Sequence, residues 1–391
     1  MINEKACFLG SNRSCIRELF EYGRARAAVV GEENVFDYSL GNPSIPCPAR
    51  LSRILRLVTE ETDPVALHGY TSASGDPALR QAIADDLNAR FQADAAAEDL
   101  FITCGAAPAL TATLRALYVP GGEVLAIAPY FPEYKPFSEE AGLVFRAVAP
   151  DVPDFQINFP ALEEMLTENT AALILNSPNN PSGTVYSRQT LEKLGAVLTN
   201  AARRFGHPIY IISDEPYREL TYGAQVSWIP EIYPDTVVCY SYSKSLSLPG
   251  ERIGYVYVPK QAAESRRLYA AVAGAARSMG HVCAPSLWQK TIARCTSLGP
   301  DLAVYDGNRR LLWESLKEMG YETADPQGAF YLFVKAPGGD AVAFSEKAKK
   351  LDLLLVPGDS FGCPGYFRIC YCVSRDKLRR SLPLFQKLME E

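Results

Sequence analysis

The residues with chemistry to offer follow short apolar runs. Lys244 lies in "YSYSKSLSLPGERIGY" (residues 240–255), boxed in by Ser241, Ser243 and Ser245, with Arg252 eight positions later. Read alone, this is a solvated loop that happens to carry a lysine, because single short motifs are weak signals. The ends of four other runs change that reading. Cys104-Gly105-Ala106-Ala107 opens a helix with small residues, which is how backbone N–H groups are offered to a phosphate. Pro129-Tyr130-Phe131 brings an aromatic side chain that can cover a planar ring. "SPNNPSG" sets Asn180 in a Pro- and Gly-rich turn, and Asp214-Glu215-Pro216-Tyr217 supplies a carboxylate and a phenol. Each has a plainer role on its own: close packing, a core aromatic, a turn asparagine, a helix cap. Their joint placement offers phosphate donors, a ring cover, an amide, an acid, a phenol and an amine along one edge.

That edge has to be built by the elements in front of it. "DLFITC" (99–104), "EVLAIA" (123–128), "TAALILN" (170–176), "PIYIIS" (208–213) and "TVVCYS" (236–241) are apolar on successive positions. Strands buried on both faces require this pattern, whereas half-buried ones alternate. Helical patterns lie between them. In "DPALRQAIADDLNARF" Asp76 can cap and Pro77 takes the first turn. In "AAPALTATLRAL" Leu110, Leu114 and Leu117 share a stripe. Alternating strands and helices predict an α/β fold with a mostly parallel sheet flanked by helices. In such sheets ligands bind outside the carboxyl ends of the strands, where the reactive residues fall. After about residue 295 the pattern changes to a charged helix, "GAFYLFVKAP", a further helix, "DLLLVPGDSFG", "YFRICYCV" and a closing helix. This predicts a smaller α+β domain, joined by the N-terminal segment with its amphipathic helix around 14–30. The expected division is 46–295 for the large domain and 1–45 with 296–391 for the small one.

Composition excludes several classes. The 39 basic and 45 acidic residues give a net charge of −6, with no basic surface for nucleic acid or an anionic membrane. No run reaches the roughly 18 apolar residues of a membrane helix, and the start lacks the pattern of a signal peptide. The ten cysteines are scattered without a CxxC, and there are three histidines. Neither a disulfide framework nor a metal site is expected, and a cytoplasmic location follows. Cys370 and Cys372, two apart in a strand-like run, point to one face and read as packing residues.

The motifs "NSPNNPSGTVY", "ISDEPY", "SYSKSLSLPGERIGY" and "YFRICY" resemble those of the pyridoxal-phosphate aminotransferases of fold type I, the class I/II group containing aspartate and aromatic aminotransferases. The resemblance runs in the family's order from "SLGNPS" near residue 40 to "YFRICYCVS" near 370. It implies a homodimer that passes an amino group between an L-amino acid and a 2-oxo acid by a ping-pong mechanism. Lys244 would hold pyridoxal 5'-phosphate as a Schiff base and later move the proton at Cα. Asp214 would pair with the pyridine nitrogen, Tyr217 and Asn180 would hydrogen-bond the phenolate oxygen, and Phe131 would stack on the ring. The phosphate would rest on the Gly105-Ala106-Ala107 turn, with Ser241, Ser243 and Arg252. Arg368 would grip the substrate α-carboxylate, helped by Asn180 and the Gly41 backbone. Tyr70, in "HGYTSASG", resembles the tyrosine that reaches the phosphate of the neighbouring subunit, so the active site would be shared.

The chain departs from the family pattern at Ala107-Pro108, where many relatives carry a polar or basic residue. That removes one place to hold a second substrate carboxylate, and Arg277 is only a weak substitute. Strictly acidic substrates are therefore not expected. The nearest rival is another reaction on the same cofactor, a β- or γ-elimination or an oxidase-like activity. A pyridoxal-phosphate-binding regulator would call for a basic DNA-binding domain. A nicotinamide dehydrogenase would call for a G-x-G-x-x-G after an early strand.

Overall fold

The computed structural model describes residues 1–12 and 14–390. A seven-stranded sheet is built from β1 (Leu100–Thr103), β2 (Glu123–Ile127), β3 (Val144–Val148), β4 (Thr170–Asn176), β5 (Tyr210–Asp214), β6 (Thr236–Ser241) and β7 (Gly254–Tyr257). The strand order is β1-β7-β6-β5-β4-β2-β3. Six of the seven strands run in one direction, and β7 alone is antiparallel, paired between β1 and β6. All of β5 and β6 is buried, as their unbroken apolar runs require.

The register decides what meets at the carboxyl edge. Asn176 pairs with Asp214, Asp214 with Cys239, and Gly254 with both Ser241 and Thr103. Because β7 runs the opposite way, its beginning lies where its neighbours end. Arg252 precedes a strand and still arrives at the edge populated by residues that follow strands. Two strands, β3 and β7, are additional to those read from the sequence. Four of the five residues of β3 are exposed or partly exposed, as befits an edge strand, so it lacks the continuous apolar signal. β7 is a short "GYVY" behind a turn.

Helices cover both faces. Ala106–Ala116 buries Leu110 and Leu114 against the sheet, while Leu117 becomes its C-terminal cap and stays partly exposed. Pro77–Phe91 is capped by Asp76, whose Oδ1 accepts from Ala78 N at 2.9 Å. Beyond residue 300, β8 (Tyr331–Lys335), β9 (Val356–Pro357) and β10 (Tyr366–Cys370) form an antiparallel sheet in the order β9-β10-β8. It packs with the helices Leu302–Glu318, Ala341–Lys349 and Arg375–Glu390. The N-terminal segment joins this part. Phe36 and Tyr38 are buried in its core, Phe36–Asp37 pairs with Leu353–Leu354, and Arg26 meets Asp352 at 2.6 Å.

Candidate active site

At the carboxyl edge of the large sheet lies a cavity of about 200 Å³. Ala106, Ala107, Phe131, Asn180, Asp214 and Tyr217 line it, and so do Ser241, Ser243, Lys244 and Arg252. Ten residues selected from the sequence therefore surround one space.

Its phosphate-sized corner is made by backbone geometry. Gly105 precedes the helix Ala106–Ala116 at φ +92°, and the helix has no side-chain cap. A Cβ on Gly105 would stand 2.7 Å from Arg252 Nη2, so only glycine combines this φ with such an approach. The first N–H groups of the helix are left for a ligand. Opposite them, Ser241 Oγ accepts from Ser243 N at 3.1 Å and lies 2.6 Å from Ser243 Oγ. Arg252 is exposed, with Nη1 donating to Pro249 O at 2.8 Å.

Asp214 forms the cavity's acidic end. Its Oδ2 accepts from Tyr134 Oη at 2.5 Å, while Oδ1 is buried with no hydrogen-bond partner. Asn176 Nδ2 fixes the Asp214 carbonyl at 2.8 Å, and Asn176 Oδ1 accepts from Asn180 N at 2.7 Å. One asparagine thus ties two sequence-selected residues together. Burial pushes the Asp214 carboxyl up to about 7, the Tyr134 bond opposes that, and the Glu215 charge adds to it. The Glu215 charge is turned away onto Arg218, 2.5 Å from it. An unpaired carboxylate oxygen in a buried site is costly, so this one is built to receive a donor.

Tyr217 Oη meets Tyr331 Oη at 2.9 Å, and burial raises the Tyr217 phenol well above its usual value. Lys244 opens onto the cavity but is otherwise enclosed. Its Nζ donates to Gly41 O at 2.6 Å and lies 5.7 Å from the Phe330 ring centre. Burial lowers its pKa, the nearby Cys372 and Cys370 sulfurs oppose that, and the charges of Arg252 and Arg368 add to the lowering. A lysine amine becomes a usable nucleophile and base when its charged form is disfavoured like this. Arg368 stands behind the cavity rather than in its wall. Its guanidinium lies between the rings of Tyr331 (4.6 Å) and Phe361 (5.0 Å). Nη1 donates to Asn180 Oδ1 at 2.9 Å, Nη2 donates to Ser39 O, and Nε is buried without a partner. Gly41 sits tightly against Tyr331, whose Oη would be 2.1 Å from an added Cβ.

The family model for aminotransferase class I and II matches residues 33–382. The chain belongs to the class I and II aminotransferases. Among similar proteins, this aminotransferase is 30% identical to the aspartate aminotransferase of Thermotoga maritima, over 92% of each chain. It is also 30% identical to a probable N-acetyl-LL-diaminopimelate aminotransferase of Bacillus subtilis, over 90% of this chain and 89% of that one. A crystal structure of an amino transferase from Eubacterium rectale matches with a TM-score of 0.97 at 52% identity, covering 100% of this chain and 98% of the other.

Two residues singled out in the sequence are not brought to the cavity of this aminotransferase. Tyr70 is 98% exposed in the single chain, and Arg277 is exposed in the last turn of the helix Ser265–Ser278. Three residues that belong there were overlooked: Asn176, Tyr134 and Tyr331. Asn176 ends the "TAALILN" run, so the strand-end rule applied strictly would have found it. Tyr134 lies one turn beyond Phe131, and the two rings meet edge-on at 5.7 Å. Tyr331 carries no spacing signal, since only the approach of β8 brings it to Tyr217.

Proposed function

We propose that the enzyme binds pyridoxal 5'-phosphate in this cavity and exchanges an amino group between an L-amino acid and a 2-oxo acid by a ping-pong mechanism. The observation that carries the reading is Asp214 Oδ1, buried and unpartnered in the same small space as Lys244. The residues fit that cofactor. A protonated ring nitrogen answers the orphaned oxygen, and a phosphate answers the uncapped helix with Ser241, Ser243 and Arg252. When bound, the cofactor supplies an aldehyde for an amine and a ring that accepts the electron pair released at Cα.

The chain's own groups do the rest. The N–H groups of Ala106 and Ala107, the two serine hydroxyls and Arg252 bind the dianion. Phe131 covers one ring face and, with Tyr134, keeps water from it. Asp214, held by Tyr134 and Asn176, keeps the ring nitrogen protonated. Tyr217 and Asn180 hydrogen-bond the ring oxygen. Lys244 would hold the cofactor through its amine and, once freed, would carry the proton from Cα. Arg368 and the Gly41 backbone orient the α-carboxylate. Lys244 and Arg252 are the cations lining the cavity, and both have other duties, so strictly acidic specificity is not part of the proposal. A core drawn almost wholly from 1–45 and 296–391 and three drawn from 46–295 support dividing the chain there, with Tyr217, Leu220 and Phe155 packing across the divide. Ten free cysteines support a reducing, cytoplasmic location.

An absorbance titration tests the reading. The purified protein should be yellow, each reactive amino acid should bleach it, and a 2-oxo acid should restore the colour. A protein that neither binds pyridoxal phosphate nor responds to a 2-oxo acid is not such an enzyme.

Arg368→Lys should raise KM for every amino acid and oxo acid, by roughly tenfold or more, since an ammonium cannot reproduce the two parallel bonds of a guanidinium. Steady-state kinetics over several substrates check this. Damage confined to one side-chain class would make Arg368 a side-chain reader instead.

We also propose a homodimer whose site is completed by Tyr70 of the neighbouring copy. Its full exposure in one chain supports this. Mixing Tyr70→Ala with Lys244→Ala chains should restore activity towards about a quarter of wild type, because each hybrid then holds one intact site. No recovery, with hybrids verified, would assign Tyr70 to its own subunit or to none.

A further inference from the structure

We propose that Cys370 and Cys372 form a hydroperoxide-reactive dithiol that closes to a disulfide and thereby loosens the 39–42 loop at the active site. Alternate residues of a strand share a face. Arg368 and Cys370 lie on β10, and Cys372 follows just past its end. All three reach towards the same loop. Tyr38 O accepts from Cys370 N at 3.1 Å, Ser39 O accepts from Arg368 Nη2, and Asn42 O accepts from Cys372 Sγ at 3.1 Å. Between these anchors Gly41 O receives Lys244 Nζ at 2.6 Å. The cysteines are therefore part of the hold on the segment against which the reactive amine rests.

The geometry favours closure. The two Sγ atoms are 3.0 Å apart, so about 1 Å of movement reaches a bond. Two residues along a strand span about 6.6 Å, near the upper end of the Cα separations that disulfides accept. Asn308 Nδ2 holds the Tyr371 and Val373 carbonyls on either side of Cys372 at 3.1 and 2.8 Å, so the sulfurs close by side-chain rotation on a fixed backbone. Both sulfurs are buried, but Cys372 also borders a cleft of about 560 Å³ walled by Gly23, Ala27, Asn42 and Lys377. That opening suits a small peroxide. Burial raises the Cys370 thiol, yet its bond with Cys372 and the charges of Arg368 and Lys244 bring it below its usual value. Burial and the Cys370 charge hold the Cys372 thiol well above its usual value, so Cys370 carries the thiolate and Cys372, 3.0 Å away at the cleft wall, keeps its proton.

The chemistry balances with a hydroperoxide as oxidant. The Cys370 thiolate attacks one oxygen of a peroxide that enters past Cys372, the O–O bond breaks, and the other oxygen leaves as alkoxide or hydroxide and takes up a proton. The resulting Cys370 sulfenic acid is attacked by Cys372, whose proton leaves with the hydroxyl, the S–S bond forms, and the S–OH bond breaks to release water. Two thiols lose two electrons and two protons, and the peroxide becomes an alcohol (or water) plus water. The product has no S–H to donate to Asn42 O, so the loop loses that tether.

The test treats the reduced holoenzyme with hydrogen peroxide, followed by digestion and mass spectrometry. The peptide spanning 370–372 should lose two hydrogens and regain them with a dithiol reductant. The kinetic half rests on the proposed reading. KM for amino acid and oxo acid should rise about three- to tenfold on oxidation, the loss of one ordinary hydrogen bond, and fall back on reduction. Cys370→Ser and Cys372→Ser should each abolish both the mass change and the reversible KM change. The proposal is overturned by an unmodified peptide, by sulfinic acid without a disulfide, by a disulfide that leaves KM unmoved, or by reversible inactivation that persists in the serine variants. Should the reduced enzyme fail to transaminate at all, the functional reading falls, while the mass measurement still decides the disulfide.

Discussion

Lys244→Ala leaves a protein that still binds pyridoxal phosphate but turns over amino acids at no measurable rate. The argument rests on how many tasks meet at one nitrogen. Lys244 Nζ faces the cavity, its ammonium form is disfavoured by burial, and its hydrogen-bond partner is a backbone carbonyl. A carbonyl accepts a bond without competing for the proton, so the amine can discharge it. Proton transfer by a placed base contributes about two to four orders of magnitude, and loss of the proposed covalent attachment would further slow the exchange of substrate amine onto the cofactor. The corner of Gly105, Ala106, Ser241, Ser243 and Arg252 is untouched by this change, as is Asp214. Cofactor binding should therefore survive, detectable by absorbance and by a stable ratio of phosphate to protein after gel filtration. Added small primary amines should restore part of the rate by standing in for the missing base. If the alanine variant transaminates substantially without such amines, another group carries the proton.

How legible this site was depended on which strand rule a residue obeyed. Asn180, Asp214, Ser241 and Lys244 follow buried parallel strands, and a run such as "TVVCYS" announces both the strand and the edge where its successor lies. Arg252 came from the family motif, since the rule of following a strand does not reach it. Only the antiparallel entry of β7 explains its place. Tyr134 was hidden for a different reason. It donates to Asp214 across 80 positions of sequence, and nothing in "PYFPEY" distinguishes its hydroxyl from that of Tyr130. Tyr331 and the 39–42 loop depend on how the smaller sheet docks, and single-sequence periodicity holds no information on docking. The cysteines were read correctly as sharing a face. Only coordinates could show that this face also grips the loop beneath Lys244.

The last expectation concerns Asp214→Asn, which should lower kcat by roughly a thousandfold while leaving the fold intact. In water a pyridine nitrogen holds its proton weakly, and a carboxylate one hydrogen bond away makes the protonated ring the favoured form. An amide offers a dipole where a full charge was needed, so several kcal/mol of stabilisation at Cα are lost, and about 1.4 kcal/mol corresponds to each tenfold in rate. A readout independent of turnover comes from the cofactor-free protein. There the carboxyl is pushed up to about 7 from an ordinary 3.8, chiefly by burial. Between those two pH values the folded chain binds a proton that the unfolded chain has released. This group's contribution to stability is therefore complete below about 4 and is lost as pH rises through about 7. The asparagine has no such proton to lose. Above pH 7 the cofactor-free variant should consequently melt higher than the cofactor-free wild type, and the gap should narrow as pH falls towards 5. Tyr134 still finds an acceptor in the amide oxygen, so the comparison isolates the charge. Bound cofactor should reverse the order, since the charge that burdens the empty site is the one that holds the ring nitrogen's proton. Wild-type kcat together with a pH-independent melting difference would leave Asp214 as a packing residue and place the electron-withdrawing partner elsewhere.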